Sequence, residues 1–172
     1  CPLNEIFSIQ HGNKFDKNKM RVVSHLIEDS VAFVGRSAVD NGITDFVMWF
    51  EGVEPYPPGL ITVALGGSAL SSFVQPFPFY TGQNIDVLIP PDDMAIDERL
   101  YYCRCIEANQ FRYSTFGREA NRTLAMIPVP SRKSVPDWVK GASERAMDIL
   151  AYDLKRGISN LKINASMEDA IS

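Results

Sequence analysis

A chain of 172 residues has room for one domain with a core that needs no disulfide staples. Its net charge of −4 argues against a surface built all round for a polyanion, and no apolar run nears the roughly 20 residues of a membrane helix. No charged-then-apolar leader opens the chain, which points to a cytoplasmic protein, and a start at Cys1 rather than Met suggests a fragment or a processed chain.

The first half reads as short strands. VAFVG (31–35), DFVMWF (45–50), LITVAL (60–65), SSFV (71–74) and IDVLI (85–89) are rich in β-branched and aromatic residues. Turn chemistry separates them at Asp40-Asn41-Gly42, Pro57-Pro58-Gly59, Gly66-Gly67-Ser68 and Thr81-Gly82-Gln83-Asn84. Such short, irregular spacing predicts an α+β fold with a twisted mixed, mostly antiparallel sheet and flanking helices rather than repeated βαβ units. Trp49, Phe73, Phe77, Phe79 and Tyr80 read as core or sheet packing.

Helices follow. Asp97 is placed to cap one that begins at Glu98, with Leu100, Cys103, Ile106 and Ala108 on an apolar face through about Phe111. A second, short helix is expected from Gly117 or Arg118 to Met126, ended by Pro128, with Leu124 and Ile127 pointing inward. A C-terminal helix starts after Ser134-Val135-Pro136-Asp137 and carries Ala142, Ala146, Ile149, Leu150 and Leu154 at helical spacing as far as Gly157. The chain thus divides into a recognition domain over 1–133, a helical segment over 134–157 and a polar tail over 158–172.

Charge is unevenly spread. Residues 14–21 hold Lys14, Lys17, Lys19 and Arg21 against Asp16, and residues 104–133 hold Arg104, Arg112, Arg118, Arg122, Arg132 and Lys133 against Glu107 and Glu119. Two basic islands on an acidic chain permit a polyanion site on one face.

The usual signatures of catalysis are missing. Gly66-Gly67 lacks both the downstream Lys-Ser/Thr of a phosphate loop and the G-x-G-x-x-G pattern, so a strand turn is a sufficient reading. Neither double proline, Tyr56-Pro57-Pro58-Gly59 nor Ile89-Pro90-Pro91-Asp92, has the Asn or Asp that an amino-methyltransferase places before Pro-Pro-aromatic. No nuclease carboxylate set or nucleophile elbow appears. Cys1, Cys103 and Cys105 read as buried reduced thiols, and His11 and His25 lack carboxylate or cysteine company at metal spacing, so neither a catalytic nor a metal residue is expected.

The succession VAFVGRSAVDNGITDFV, PPGLITVALGGSALSSFVQPFPFYTGQNIDVL and ERLYYCRCIEANQFRYSTFGREANRTLAMIPVP resembles one target-recognition domain of restriction-modification specificity subunits. The likeness is to the branch of type I specificity subunits and BcgI-like type IIB or IIG systems, and it covers roughly residues 5–138. The resemblance implies an α/β unit that docks on double-stranded DNA and reads half of a bipartite target. Methyltransferase subunits, with nuclease subunits where a system has them, would be its partners. S-adenosylmethionine, Mg²⁺ and ATP would belong to those partners, and this domain itself would be non-catalytic and without cofactor. A full specificity subunit carries two such domains, so this chain matches a half-length subunit, an excised domain or a piece of a fused enzyme. The helix from Ala142 to Gly157 is short for the spacer helices of the family.

Within that resemblance, Arg36 and Asn41 lie on the early strand-loop near DNA, and Tyr113 to Leu124 precede the Pro-x-Pro exit. Arg118 and Arg122 are i, i+4 neighbours with Asn121 beside them; arginine forks onto guanine and asparagine onto adenine. Base readout is therefore expected of Arg36, Asn41, Tyr113, Arg118, Asn121 and Arg122, and backbone contact of Lys14, Lys17, Lys19, Ser37, Arg112 and Ser114. The competing readings are that Glu119 pairs with the helix arginines and Asp40 with Arg36. Two other classes also stay open. One is a protein-interaction module docking an acidic partner; the other is a compact restriction endonuclease with an unrecognised site.

Overall fold

The computed structural model describes residues 1–113 and 123–171, with side chains as far as Ser159. The chain divides into two compact units, Cys1–Val135 and Pro136–Ser172.

In the first unit the strands form two four-stranded sheets. One has the order β1-β8-β5-β6, from Ser8–His11, Ile85–Ile89, Ile61–Ala64 and Ser72–Val74, all antiparallel. The other has the order β2-β4-β3-β7, from Val22–Val23, Ile43–Met48, Ser30–Val34 and Phe79–Thr81. Its β3·β7 pairing is parallel and the rest antiparallel, so the mixed, mostly antiparallel α+β expectation holds. The five predicted strands are all present. The sequence reading missed β1, β2 and β7: β1 (SIQH) is mostly polar, β2 has only two residues, and β7 lies among prolines and aromatics that read as packing.

Alternation explains the layers. Ile61 and Val63 of β5 join Leu88, Leu65 and Leu70 in a core closed by α1 (Ile96–Glu107), which contributes Tyr102, Cys103 and Ile106. On the next register Val87 of β8 packs with Ala32, Val34 and Phe79 of the second sheet. Each fully buried Leu, Ile or Phe contributes about 1.5–3 kcal/mol by leaving water, and Leu3, Phe7, Ile61, Leu70 and Leu88 are among them.

Several expectations need correcting. Helix α1 begins at Ile96 with Ala95 as its N-cap, so Asp97 lies inside the first turn, where it and Glu98 favour the helix dipole instead of capping. With that phase the buried face is Tyr102, Cys103 and Ile106, while Leu100 is 45 % exposed and Ala108 is also outside. Trp49 is 52 % exposed, not core, because it follows the last paired residue of β4. Of the short helix expected up to Met126, the described part is a 3-10 turn at Leu124–Met126, with Leu124 and Ile127 buried as anticipated.

The second unit is dominated by α2 (Ala142–Ile171), 30 residues and so about 45 Å long. Gly141, at φ +68°, precedes it, and the Arg145 guanidinium donates to the carbonyl oxygens of Lys140 and Trp138. The helix runs through Gly157, where the sequence reading ended it. One interior glycine costs about 1 kcal/mol against alanine, too little to stop a proline-free run of good helix formers. Among the described residues no helix is long and apolar enough to cross a membrane.

Candidate nucleic-acid interface

Strand pairing gathers four loops at one end of the first unit. Because Val34 pairs in parallel with Thr81, the segments leaving β3 and β7 emerge side by side. Ala64 opposite Ile85 brings the turn after β5 to the same place, where the Leu65 N–H donates to the Asn84 carbonyl at 2.8 Å. The segment after β1 is tied in as well: Gly12 N–H donates to Ile85 O at 2.9 Å. Asn13 and Thr81 exchange backbone-to-side-chain bonds of 2.8 and 3.0 Å. Gly12–Lys14, Gly35–Ser37, Gly66–Ser68 and Gly82–Asn84 therefore meet. A methyl group at Gly67 would lie 3.5 Å from Arg36 Cβ, so these two loops are in direct contact.

Helix α1 runs towards the same end, since the Glu107 carboxylate accepts from Ser72 N–H at 3.2 Å just beyond the 65–70 turn. The residues after α1 start from there. Among the described residues, five of the six non-glycine residues with φ between +53° and +63° are in these loops or their continuations: Lys14, Asp40, Asn41, Leu70 and Asn84, with Asp29 elsewhere. Asp40, Asn41 and Asn84 tolerate left-handed backbone readily, whereas at Lys14 and Leu70 it is costly and marks a loop held in one shape.

The cations divide sharply. Arg36 is exposed and, among the described residues, makes no ion pair with Asp40; Lys14 is likewise exposed and unpaired. Lys17 is bound to Asp45 at 2.5 Å, and Lys19 is exposed. In the second basic island Arg104 pairs with Glu107 at 2.7 Å. Arg132 makes a fork of 2.8 and 3.0 Å to Glu98 and a further contact of 2.9 Å to Asp93. That hydrogen bond from Arg132 holds the Asp93 carboxyl below its usual range. Two of the island's six cations, Arg104 and Arg132, are thus paired with carboxylates from α1 and the turn before it.

Ser37 Oγ sits in a local turn with Val39, 3.2 Å from both its N–H and its carbonyl oxygen. The Asn41 carbonyl accepts from the buried Gln75 amide at 2.8 Å, which leaves its exposed side chain outside that bond. Arg112 lies over the Phe111 ring, 5.4 Å from its centre. Tyr113 and Thr123 share a 2.6 Å hydroxyl contact. Ser114, Arg118, Asn121 and Arg122 lie outside the described residues.

Cys1 and Cys105 differ from their sequence reading, and His11, which has no partner at metal spacing in the sequence, gains one across the sheet. His11 does have carboxylate company: its Nδ1 is 2.7 Å from Asp86 Oδ1, a partner hidden by 75 positions of separation. Cys103 is buried, and burial pushes its thiol up to about 12, but Cys1 is exposed and Cys105 only half-buried, contrary to three buried thiols. Among the described residues no three His, Cys, Asp or Glu side chains gather around a metal-sized site.

Residues 1–130 match the family model described as the type I restriction modification DNA specificity domain. The chain belongs to this family. A relative of the DNA specificity domain is the type II restriction enzyme BgcI specificity subunit S.BcgI of Heyndrickxia coagulans. It is 27 % identical over 138 residues, which are 79 % of this chain and 39 % of that protein. Two solved structures share the fold. The S subunit of a type I restriction-modification system from M. genitalium has a TM-score of 0.57 at 18 % identity, covering 95 % of this chain and 42 % of that one. The HsdS subunit from Thermoanaerobacter tengcongensis has 0.55 at 19 %, covering 91 % and 38 %. The specificity domain thus spans about two-fifths of the length of these relatives.

Proposed function

We propose that this DNA specificity domain reads one half of a bipartite double-stranded target and directs methyltransferase subunits, and nuclease subunits where present, to it. The reading makes the domain itself non-catalytic, with S-adenosylmethionine, Mg²⁺ and ATP handled by the partner chains. Recognition falls to 1–133, with α2 and the residues leading into it serving attachment.

The observation that carries this reading is the pair of unneutralised cations, Arg36 and Lys14, on a loop end whose backbone is tied down from four directions. The segments 12–14, 35–37, 66–68 and 82–84 carry no Asp or Glu, so a polyanion meets cations there without an acid in the same segment, although Asp16 and Asp40 lie just beyond two of them. Arg36, Asn41, Tyr113, Arg118, Asn121 and Arg122 are assigned to base edges. Lys14, Lys17, Lys19, Ser37, Arg112 and Ser114 are assigned to phosphates and sugars, about four to six phosphates in all. Lys17 must exchange Asp45 for a phosphate, so it contributes least of the three lysines.

A competition assay over single-base variants of the target tests the assignment. Alanine at Arg118, Asn121 or Arg122 should cost about 1–3 kcal/mol on the proper site and almost nothing on a site already altered at the base concerned. Lys14→Ala should weaken every duplex alike. Folded variants of Arg118, Asn121 and Arg122 that all keep wild-type preference would remove the base-reading role from this stretch. Methyl transfer or Mg²⁺-dependent cleavage by the purified chain would overturn the non-catalytic reading.

A further inference from the structure

We infer that His11 is a phosphate contact of the same loop end, offering Nε2 to a phosphate oxygen while Asp86 holds the ring from behind. The inference rests on the DNA reading above and adds a residue that neither charge nor spacing in the sequence marks.

His11 is the last residue of β1 and sits directly opposite Asp86 on β8. The pair is strongly asymmetric: the histidine side chain is 69 % exposed and the aspartate 4 %. Nδ1 is spent on Asp86 Oδ1 at 2.7 Å, which leaves Nε2 without a partner among the described residues. The two ring nitrogens diverge, so a ring anchored inward through one directs the other away from the anchor.

The backbone beneath the ring is fixed as well. The Tyr56 hydroxyl donates to the His11 carbonyl oxygen at 3.3 Å, and the next residue donates from Gly12 N–H to Ile85 O at 2.9 Å. Three residues on is Lys14. His11 and Lys14 thus flank the tied segment Gly12-Asn13, which is docked on Thr81 and Ile85.

A ring with a proton on each nitrogen donates to a carboxylate on one side and to an anionic oxygen on the other. A phosphate provides such an oxygen at every step of a duplex, whereas a base edge provides it only at some. A buried carboxylate behind a histidine is also how proteins hold an imidazole in one orientation for a ligand. If the pair served only to fasten β1 to β8, its loss would alter stability and leave the salt dependence of DNA binding unchanged.

The test is fluorescence anisotropy on the 172-residue chain with several short duplexes of unrelated sequence over a salt series. His11→Ala is expected to weaken every duplex by roughly three- to tenfold at low salt and to reduce the log–log salt slope. His11→Arg should restore the slope, and Asp86→Asn should weaken binding in the same direction. If Asp86→Asn does not fold by circular dichroism, His11→Gln decides, since it keeps a polar donor at this exposed position and removes the imidazole. Folded His11→Ala with wild-type slope and affinity would overturn the assignment, as would a loss confined to one duplex, which marks base reading. A wild-type chain that binds no duplex would overturn the DNA reading itself and His11's part in it.

Discussion

The hydroxyl groups of Tyr113 and Thr123 lie 2.6 Å apart, so the two residues flanking 114–122 are bonded to each other. That stretch carries Arg118, Asn121 and Arg122. A partly exposed hydrogen bond between hydroxyls contributes about 0.5–1.5 kcal/mol. Tyr113→Phe and Thr123→Val should therefore keep the fold, with urea midpoints close to wild type, and both should lower target discrimination in competition binding. Equal losses would give Tyr113 a positioning role. A loss from Tyr113→Phe alone would place its phenol on the DNA.

A methyl group on Gly12 would sit 2.1 Å from Thr81 Oγ1 and 2.8 Å from the Ile85 carbonyl oxygen. Neither neighbour can swing aside, because Thr81 is buried and bonded to Asn13 and the Ile85 oxygen accepts the Gly12 N–H. Gly12→Ala is expected to cost about 1–3 kcal/mol by overpacking. It should also weaken binding to all duplexes, since relief of the clash lifts Gly12–Lys14 off the loop end. Chemical denaturation and anisotropy on the same samples read both effects.

Acid should weaken the contacts of Arg132. Its hydrogen bond keeps the Asp93 carboxyl below the ordinary 3.8, so the folded value lies beneath the unfolded one. Such a group contributes stability above its unfolded value and loses it as pH falls through the folded value. Arg132→Met should therefore lower the urea midpoint at neutral pH, by a margin that narrows as pH drops below about 4. Asp93 is largely exposed, so added salt should narrow the margin too. A margin unchanged between neutral and acid pH would mean that packing of the Arg132 stem, not its charge, matters there.

The three thiols should separate by reactivity. Cys1 is exposed, whereas burial raises the Cys103 thiol to about 12 and raises Cys105 as well. At mildly alkaline pH the Cys103 thiol therefore stays protonated, and a protonated thiol is a poor nucleophile. Ellman titration of the native chain should show one fast thiol, with Cys103 appearing only on unfolding. Rapid modification of Cys103 in the native state would mean that α1 opens from the first sheet.

Some of this protein is legible without coordinates. Strands β3, β4, β5, β6 and β8, α1 and the inward turn of Leu124 and Ile127 follow from local periodicity and from turn residues, because backbone preference and side-chain alternation act over a few neighbours. The family likeness is equally a property of ordered local segments. Tertiary structure alone decided the rest. It split the strands into two sheets and made β3·β7 parallel, and so brought residues 12–14, 35–37, 66–68 and 82–84 to one end. It also decided which cations stay available. Arg132 is neutralised by Glu98 and Asp93, Lys17 by Asp45, and His11 gains Asp86, across separations of 28 to 75 residues. An ion pair or a hydrogen bond depends on a gap of a few ångströms in space, and position along the chain carries no information about that gap until the strands have paired.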